Sequence, residues 1–424
     1  MRIYNLFPLL AGKFENWLPH IERAADMDFN WVFVNPIQQP GESESLYSIV
    51  DYFQLNKKFI NLSSSLSPEQ QLGLAVKTAE ARGLNMMVDL VINHCAIDST
   101  LLQDHPEWFV RSADGSVSHP SCDEDGKEVV WYDLARFDYR NTTDPEGLFR
   151  YFYDVVEYLI KLGFTGFRCD AAYQIPQVFW RRLINDTKKR YPEVVFIAET
   201  LGCTPDSTRK TAEAGFDSVF NSSKWWDFSS PWLMEQYSLV RESSSSISFP
   251  ESHDTQRLFQ ETHDNIAAMK QRYFFSALFS GGVMIPMGFE FGFKKNLHVA
   301  KMKPEDWEEP NIDLCEYIRD INAIKARYRV FQHDCPTKVI AYNNPNIMIL
   351  WKASVEDAGE ALLIFNKDVW HHQHFYADNL DFYVQAGAPL EDVSPEYLLD
   401  YLPVPFSYDL RPGQGFVMVT QRDQ

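Results

Sequence analysis

The stretch GFRCDAAYQIP (166–176) puts a full positive and a full negative charge two residues apart in an apolar run. Residues i and i+2 of a β-strand share a face, so Arg168 and Asp170 enter the same enclosed space. Burying charge is costly unless the charges are paired and used. Two readings follow. One is a structural salt bridge under a loop; the other is a carboxylate held ionised by a guanidinium for chemistry.

Outward from this strand, short apolar runs alternate with amphipathic stretches. Strands are predicted at 2–7, 30–37, 85–93, 166–172, 194–200, 215–222, 247–253 and 283–292. Helices are predicted near 16–28, 67–83, 145–163, 176–191, 205–214, 231–242, 265–282 and 313–329. Ser67 is a cap signal and Gly83 a stop; Pro145 and Gly163 bracket the third helix. Eight strand–helix units in this length imply a closed parallel (β/α)8 barrel. An open doubly wound sheet normally carries a glycine-rich loop after its first strand, and FPLLAGKF (7–14) is not one. The segment after the third strand is long and irregular (SADGSVSHPSCDEDG, 112–126), and long loops in compact domains usually serve a function. Beyond about residue 333 the pattern turns to short strands with turn residues between them. The predicted division is therefore a barrel at 1–94 and 135–333, an inserted domain at 95–134, and a C-terminal β-sandwich at 334–424.

The 424 residues are 45% hydrophobic and carry a formal net charge of −20. This excludes a disordered chain and argues against nucleic acid or an anionic membrane as partner. The six cysteines show no metal-site spacing and read as reduced thiols. No segment has the apolar length of a membrane span, and the start suits a first strand better than a signal peptide. A cytoplasmic location is expected.

Functional residues of such barrels gather at the C-terminal strand ends. Asp89, Asn93 and His94 fall on or after the third strand, and Arg168 and Asp170 on the fourth. Glu199 ends the fifth, and His253 and Asp254 end the seventh. Carboxylates, histidines and an arginine without a metal cage suit acid–base and covalent chemistry at an acetal. A retaining glycosidase needs one ionised and one protonated carboxyl group. Arg168 holds Asp170 ionised, whereas Glu199, with no cation in its own strand and apolar neighbours, is expected to keep a proton. Asp170 is thus the expected nucleophile and Glu199 the expected acid.

These strand-end motifs resemble the α-amylase superfamily, glycoside hydrolase family 13. They are DLVINH (89–94), GFRCDAAYQ (166–174), FIAET (196–200) and FPESHDT (249–255), with SLYSIVDYFQLN (45–56) and PMGFEFG (286–292) beside them. The resemblance implies that Asp170, Glu199 and Asp254 are catalytic, Asp254 by gripping sugar hydroxyls and the distorted transition state. It also implies substrate binding by His94, His253, Tyr47 (stacked on the sugar) and Arg168, with Asp89 supporting Arg168. The insert and the sandwich correspond to the family's domains B and C. DHPEWFVRSADGS (104–116) and 176–200 are similar to the maltosyltransferase branch that uses maltose 1-phosphate. Ile175, however, stands where those enzymes carry a phosphate-contacting lysine, and the fourth motif keeps a histidine they lack. Tyr173-Gln174 replaces the Lys-His of many amylases. No cofactor is required; calcium is allowed by Asn93 but not predicted, and no other metal is expected.

Weaker signals have plainer explanations. Trp131, Trp225, Trp226 and Phe228 either line sugar subsites or pack in the core, and the core is favoured. HHQH (371–374) reads as a solvated strand or loop, EDWEE (305–309) as a solvated acidic face, and Arg257 as equally structural or substrate-contacting. The expected function is an α-retaining hydrolase or transglycosylase acting on α-glucosidic bonds of oligosaccharides or glucans. The alternatives are a phosphate-using maltosyltransferase-like enzyme and a non-catalytic carbohydrate-binding protein on the same barrel.

Overall fold

The computed structural model describes residues 1–124, 127–385 and 389–420. Eight strands close a barrel: β1 (Arg2–Leu6), β2 (Trp31–Val34), β3 (Asn85–Leu90), β4 (Gly166–Cys169), β5 (Val195–Ala198), β6 (Ser218–Phe220), β7 (Ser245–Ser248) and β8 (Gly282–Pro286). Every pairing is parallel, and neighbours in sequence are neighbours in space. The predicted strands are all present and each ends earlier than predicted; β7 and β8 also begin earlier, at Ser245 and Gly282. A helix follows each: α1 (Leu18–Asp26), α2 (Pro68–Ala81), α3 (Pro145–Lys161), α4 (Gln177–Arg190), α5 (Pro205–Ala212), α6 (Trp232–Val240), α7 (Ile266–Phe279) and α8 (Cys315–Arg327). The start signals act as read. Ser67 and Gln70 form a reciprocal capping box on α2, and Asp144 caps α3.

Strand alternation sorts the core into two. Ile3, Trp31, Phe33, Met87, Ile197, Phe220, Ile247 and Met284 fill the barrel interior. Their neighbours Val32, Val34, Val88, Phe167, Phe196 and Val283 face the helices. The polar layer at the top of the interior therefore sits on a filled, rigid plug.

After β2 a hairpin, Gln38–Pro40 with Ile49–Leu55, rises over the rim. After β3, His94–Ala96 pairs with Leu134–Arg136 and closes the base of the inserted segment. Ser121–Glu124 and Lys127–Val130 form a small hairpin within it. The C-terminal region is antiparallel, as predicted. A five-stranded sheet (Thr337–Ile340, Ile347–Ala353, Glu360–Asn366, Gly415–Thr420, Leu390–Asp392) faces the pair Gln373–Ala377 and Phe406–Leu410. Ile347, Ile349, Leu362, Ile364, Phe416 and Met418 form the sandwich's own core with Phe375 and Phe406. The alternate residues Met348, Leu350, Leu363, Phe365, Val417 and Val419 merge with the barrel's outer core. Among the described residues no helix is long and apolar enough to cross a membrane.

Candidate active site

Parallel register builds the site. Arg168 lies level with Asp89 on β3 and Ile197 on β5, and Cys169 lies level with Ala198. Asp170 and Glu199 are therefore the next lateral pair, each one residue beyond its strand. The ladder continues through them: Asp170 N–H donates to Leu90 O (3.2 Å) and Glu199 N–H to Cys169 O (3.0 Å).

The buried Arg168 guanidinium organises three carboxylates. Its Nη1 donates to Asp170 Oδ1 (2.7 Å) and to Asp89 Oδ1 and Oδ2 (2.8 and 3.1 Å). Its Nη2 lies 4.0 Å from Glu199 Oε2. The pairing of Arg168 with Asp170 read from the sequence is thus present, with Asp89 added. The surroundings of Glu199 differ from the expectation. Its neighbours are not merely apolar, because Arg168 is close and the backbone N–H groups of Ala171 (2.9 Å) and Leu201 (2.5 Å) donate to it. A strand's own sequence does not show a cation that arrives from the next strand. Burial still dominates: it pushes the Glu199 carboxyl up to about 7, helped by Asp170 and opposed by Arg168. Burial likewise raises Asp89 to about 6 against the pull of Arg168.

Asp254 and His253 stand beyond β7 rather than at its last residue, on a turn closed by Ser252 and Thr255. Asp254 is 57% exposed at the cleft mouth, with Oδ2 3.0 Å from His253 Nε2. Tyr47 comes from the turn of the hairpin after β2. Its ring stacks on His253 (centroids 5.8 Å apart, planes at 8°), so one of its faces is already covered. Its hydroxyl donates to Asp89 Oδ2 (2.7 Å) and lies 2.7 Å from His253 Nε2. His94 Nε2 meets the Tyr47 carbonyl at 3.1 Å. His94 Nδ1, His253 Nδ1 and Asn93 Oδ1 are buried without a hydrogen-bond partner among the described residues.

These groups open on a cleft of about 370 Å³ lined by Tyr47, Asn93, His94, Asp170, Glu199 and Asp254, with Trp131, Asp133, Tyr173, Gln174 and Leu201 among the rest. Its charged lining is four carboxylates; no lysine or arginine lines it among the described residues. Asp133, Leu201 and Asn35 behind Tyr47 were missed in the sequence. Asn35 had a readable signal, a polar residue at the C-terminal end of an apolar strand.

The weaker candidates separate. Trp131 lines the cleft at 38% exposure, and Trp225 is exposed on the rim against Phe249. Trp226 and Phe228 are buried in the outer core. Ile175 is buried in that core too and does not line the cleft. Arg257 is fully buried against Glu251 (2.7 Å) and donates to the carbonyls of Met287 and Lys295, a structural role. His371 pairs with Asp368 and His374 with Asp409 on an exposed edge. EDWEE is not simply a solvated face: Asp306 pairs with Lys295, and Glu308 accepts from the N–H groups of Lys294 and Lys295. A loop that folds back on itself gives its acids backbone work that composition cannot show. Cys95, Cys169, Cys203, Cys315 and Cys335 are free thiols, while the Cys122 side chain lies outside the described residues. His105, Glu107 and Asp144 bring donor atoms within 4.8 Å of one another. Each has structural work: His105 stacks on Trp108 and meets Glu107, and Asp144 accepts from Trp108 and caps α3.

A family model for the glucanotransferase domain of glycogen debranching enzyme matches residues 1–112. The α-1,4-glucan:maltose-1-phosphate maltosyltransferase of Burkholderia pseudomallei is 24% identical over 326 residues, 74% of this chain and 28% of that protein. The cyclomaltodextrinase of Geobacillus thermopakistaniensis is 23% identical over 381 residues, 84% of this chain and 62% of that one. The α-amylase of H. orenii superposes with a TM-score of 0.80 at 14% identity, covering 99% of both chains. That of Geobacillus thermoleovorans, solved with acarbose, superposes at 0.79 with 15% identity, covering 100% and 98%. In sequence the chain is similar to members of the α-amylase superfamily, and it shares their fold. The barrel, insert and C-terminal sandwich are that superfamily's fold, and the sequence relatives include its maltosyltransferase-like branch. The chain spans less than two thirds of the length of these curated superfamily relatives.

Proposed function

We propose that this chain is an α-retaining enzyme acting on α-glucosidic bonds of oligosaccharides or glucans. The observation that carries the proposal is the lateral pairing of Asp170 and Glu199 around one guanidinium at the wall of a sugar-sized cleft. Asp170 attacks the anomeric carbon as the glycosidic C–O bond breaks, and Glu199 gives its proton to the leaving oxygen. A glycosyl ester on Asp170 results. Glu199, now ionised, takes a proton from water or from an acceptor hydroxyl; that oxygen attacks the anomeric carbon and releases Asp170. Asp254 at the mouth grips sugar hydroxyls. His94 lines the cleft and His253 turns its Nε2 toward Asp254 at the cleft mouth, where each meets sugar hydroxyls; Tyr47 offers the free face of its ring, and Arg168 holds Asp170 through a 2.7 Å hydrogen bond. Hydrolysis and transfer share the ester, so both fit. The maltosyltransferase and cyclomaltodextrinase relatives support the substrate class.

The absence of cations from the described lining favours neutral donors over a sugar phosphate, since the aspartates Asp133, Asp170 and Asp254 repel phosphate. We further read 1–94 with 135–333, 95–134 and 334–424 as the three domains, and the chain as cytoplasmic with no nucleic-acid or membrane partner. Asn93 Oδ1, unpartnered, and Asp133 are oxygen donors that line the cleft. They fall well short of the roughly six to eight oxygens calcium takes, so no step runs through it.

The test is to incubate maltooligosaccharides with and without inorganic phosphate and analyse the products by mass spectrometry. Shortened or lengthened oligosaccharides in both arms support the proposal. Sugar phosphate formed only with phosphate favours the second reading, and no product from any α-glucoside rejects catalysis.

A further inference from the structure

A hydrogen-bond chain of fixed direction reaches the site from beneath. Asn5, on β1, donates from Nδ2 to the Phe33 carbonyl (3.1 Å) and to Asn35 Oδ1 (2.9 Å). A carbonyl only accepts, so it pins the nitrogen of Asn5 on that side. Asn35 must then turn its oxygen to Asn5 and its Nδ2 to the Tyr47 hydroxyl, 3.0 Å away. Tyr47 accepts at that contact and has one proton for two others, Asp89 Oδ2 and His253 Nε2, both at 2.7 Å. Both oxygens of Asp89 already accept from Arg168, which leaves neither a place for a proton of its own, so Asp89 takes the Tyr47 proton. His253 Nε2 is left facing a phenol oxygen with no proton to offer and, at 3.0 Å, Asp254 Oδ2. Both contacts need a donor.

Two independent features agree. His253 Nδ1 is buried with no acceptor to hold a proton there. Asn5 Oδ1 is fully buried with no donor, as an amide oriented from its nitrogen side alone leaves it. Four strand-borne or loop-borne side chains are thus ordered from a single main-chain carbonyl.

We propose that Asn5 and Asn35 are positioning residues that direct the Tyr47 proton to Asp89 and so set His253 as an Nε2–H donor. The donor faces Asp254 and, on the functional reading above, the hydroxyls of the bound sugar. Only that last clause rests on the reading.

The experiment is ¹⁵N–¹H correlation of the histidine rings in the whole protein, at a pH where His253 is neutral, with the signal assigned by His253→Gln. Nε2–H is expected; a proton on Nδ1 overturns the proposal. This measurement needs no substrate, so it stands even if no glucoside is turned over, an outcome that fails the functional reading alone. The second arm compares Asn35→Asp with Asn35→Leu. Asp keeps the shape but offers an acceptor where Tyr47 needs a donor, so its kcat is expected to fall about tenfold below that of Leu. A merely structural role gives the opposite order, with the isosteric Asp the milder change, and that order overturns the proposal.

Discussion

The backbone N–H of Ala171 donates to Glu199 Oε2 at 2.9 Å. The residue that follows the proposed nucleophile thus holds the proposed acid. It does so from a left-handed conformation, φ 41° and ψ 44°, which a residue with a Cβ adopts only under constraint. The turn at Ala171 is therefore part of how the two carboxyl groups are kept in register.

A β-branched residue is hard to place in that conformation. Ala171→Val is expected to destabilise the fold by about 2 kcal/mol and to lower kcat as the N–H swings from Glu199. Ala171→Gly is expected to keep stability within about 1 kcal/mol of the parent. Chemical denaturation with parallel kinetics checks both.

Removing either carboxyl function should be far more damaging than removing any rim residue. Asp170→Asn and Glu199→Gln are each expected to lower kcat by about 10³-fold or more. With an α-glucosyl fluoride, whose leaving group needs no proton, Glu199→Gln is expected to accumulate a glycosyl ester on Asp170. Intact-protein and peptide mass spectrometry would find it, and its absence from Asp170 contradicts the assignment.

Burial lifts Glu199 from 4.5 to about 7, which has two consequences in pH. The acid must be protonated, so kcat/KM is expected to fall as pH rises through about 7. Protonation also favours the folded state, a contribution fully present below the ordinary carboxyl value and lost as pH rises to about 7. Glu199→Gln, which needs no proton to stay neutral, is therefore expected to be the more stable protein above neutrality. Thermal unfolding of both proteins across pH 4–8 measures the difference.

Arg257 and Glu251 form a buried pair whose remaining hydrogen-bonding groups meet Met287 O, Lys295 O and the Leu258 N–H. Arg257→Met leaves Glu251 charged and buried, and is expected to cost about 3–5 kcal/mol of stability. Pairing it with Glu251→Gln is expected to recover part of the loss. At a temperature where the single variant is folded, KM should stay near the parent value.

Most of the eight strands and helices were legible as apolar runs or amphipathic segments, four of the helices with a side-chain cap, and closure follows from their number. Strand-end charges pointed to Arg168, Asp170 and Glu199, because parallel register carries such residues to one rim. Relations between strands stayed hidden. That Arg168 approaches Glu199, or that Asn5 orients Asn35, depends on lateral contacts no single segment records. The favoured core reading holds for Trp226 and Phe228 but fails for Trp131, which lines the cleft, and Asp133 sits in a stretch with no periodic signal.

The five-stranded C-terminal sheet uses both its faces. One closes the sandwich; the other, through Leu350, Leu363, Phe365 and Val417, continues the packing around α7. Phe365 lies against Phe228, Phe274 and Phe275, and the buried Lys352 ammonium donates to the Phe279 carbonyl at the end of that helix. The barrel is consequently not a detachable unit. Truncation near residue 333 would strip a greasy wall bare and leave helix-end carbonyls uncapped, so the shortened polypeptide should clump, whereas calorimetry of the longer one should trace one joint melting event.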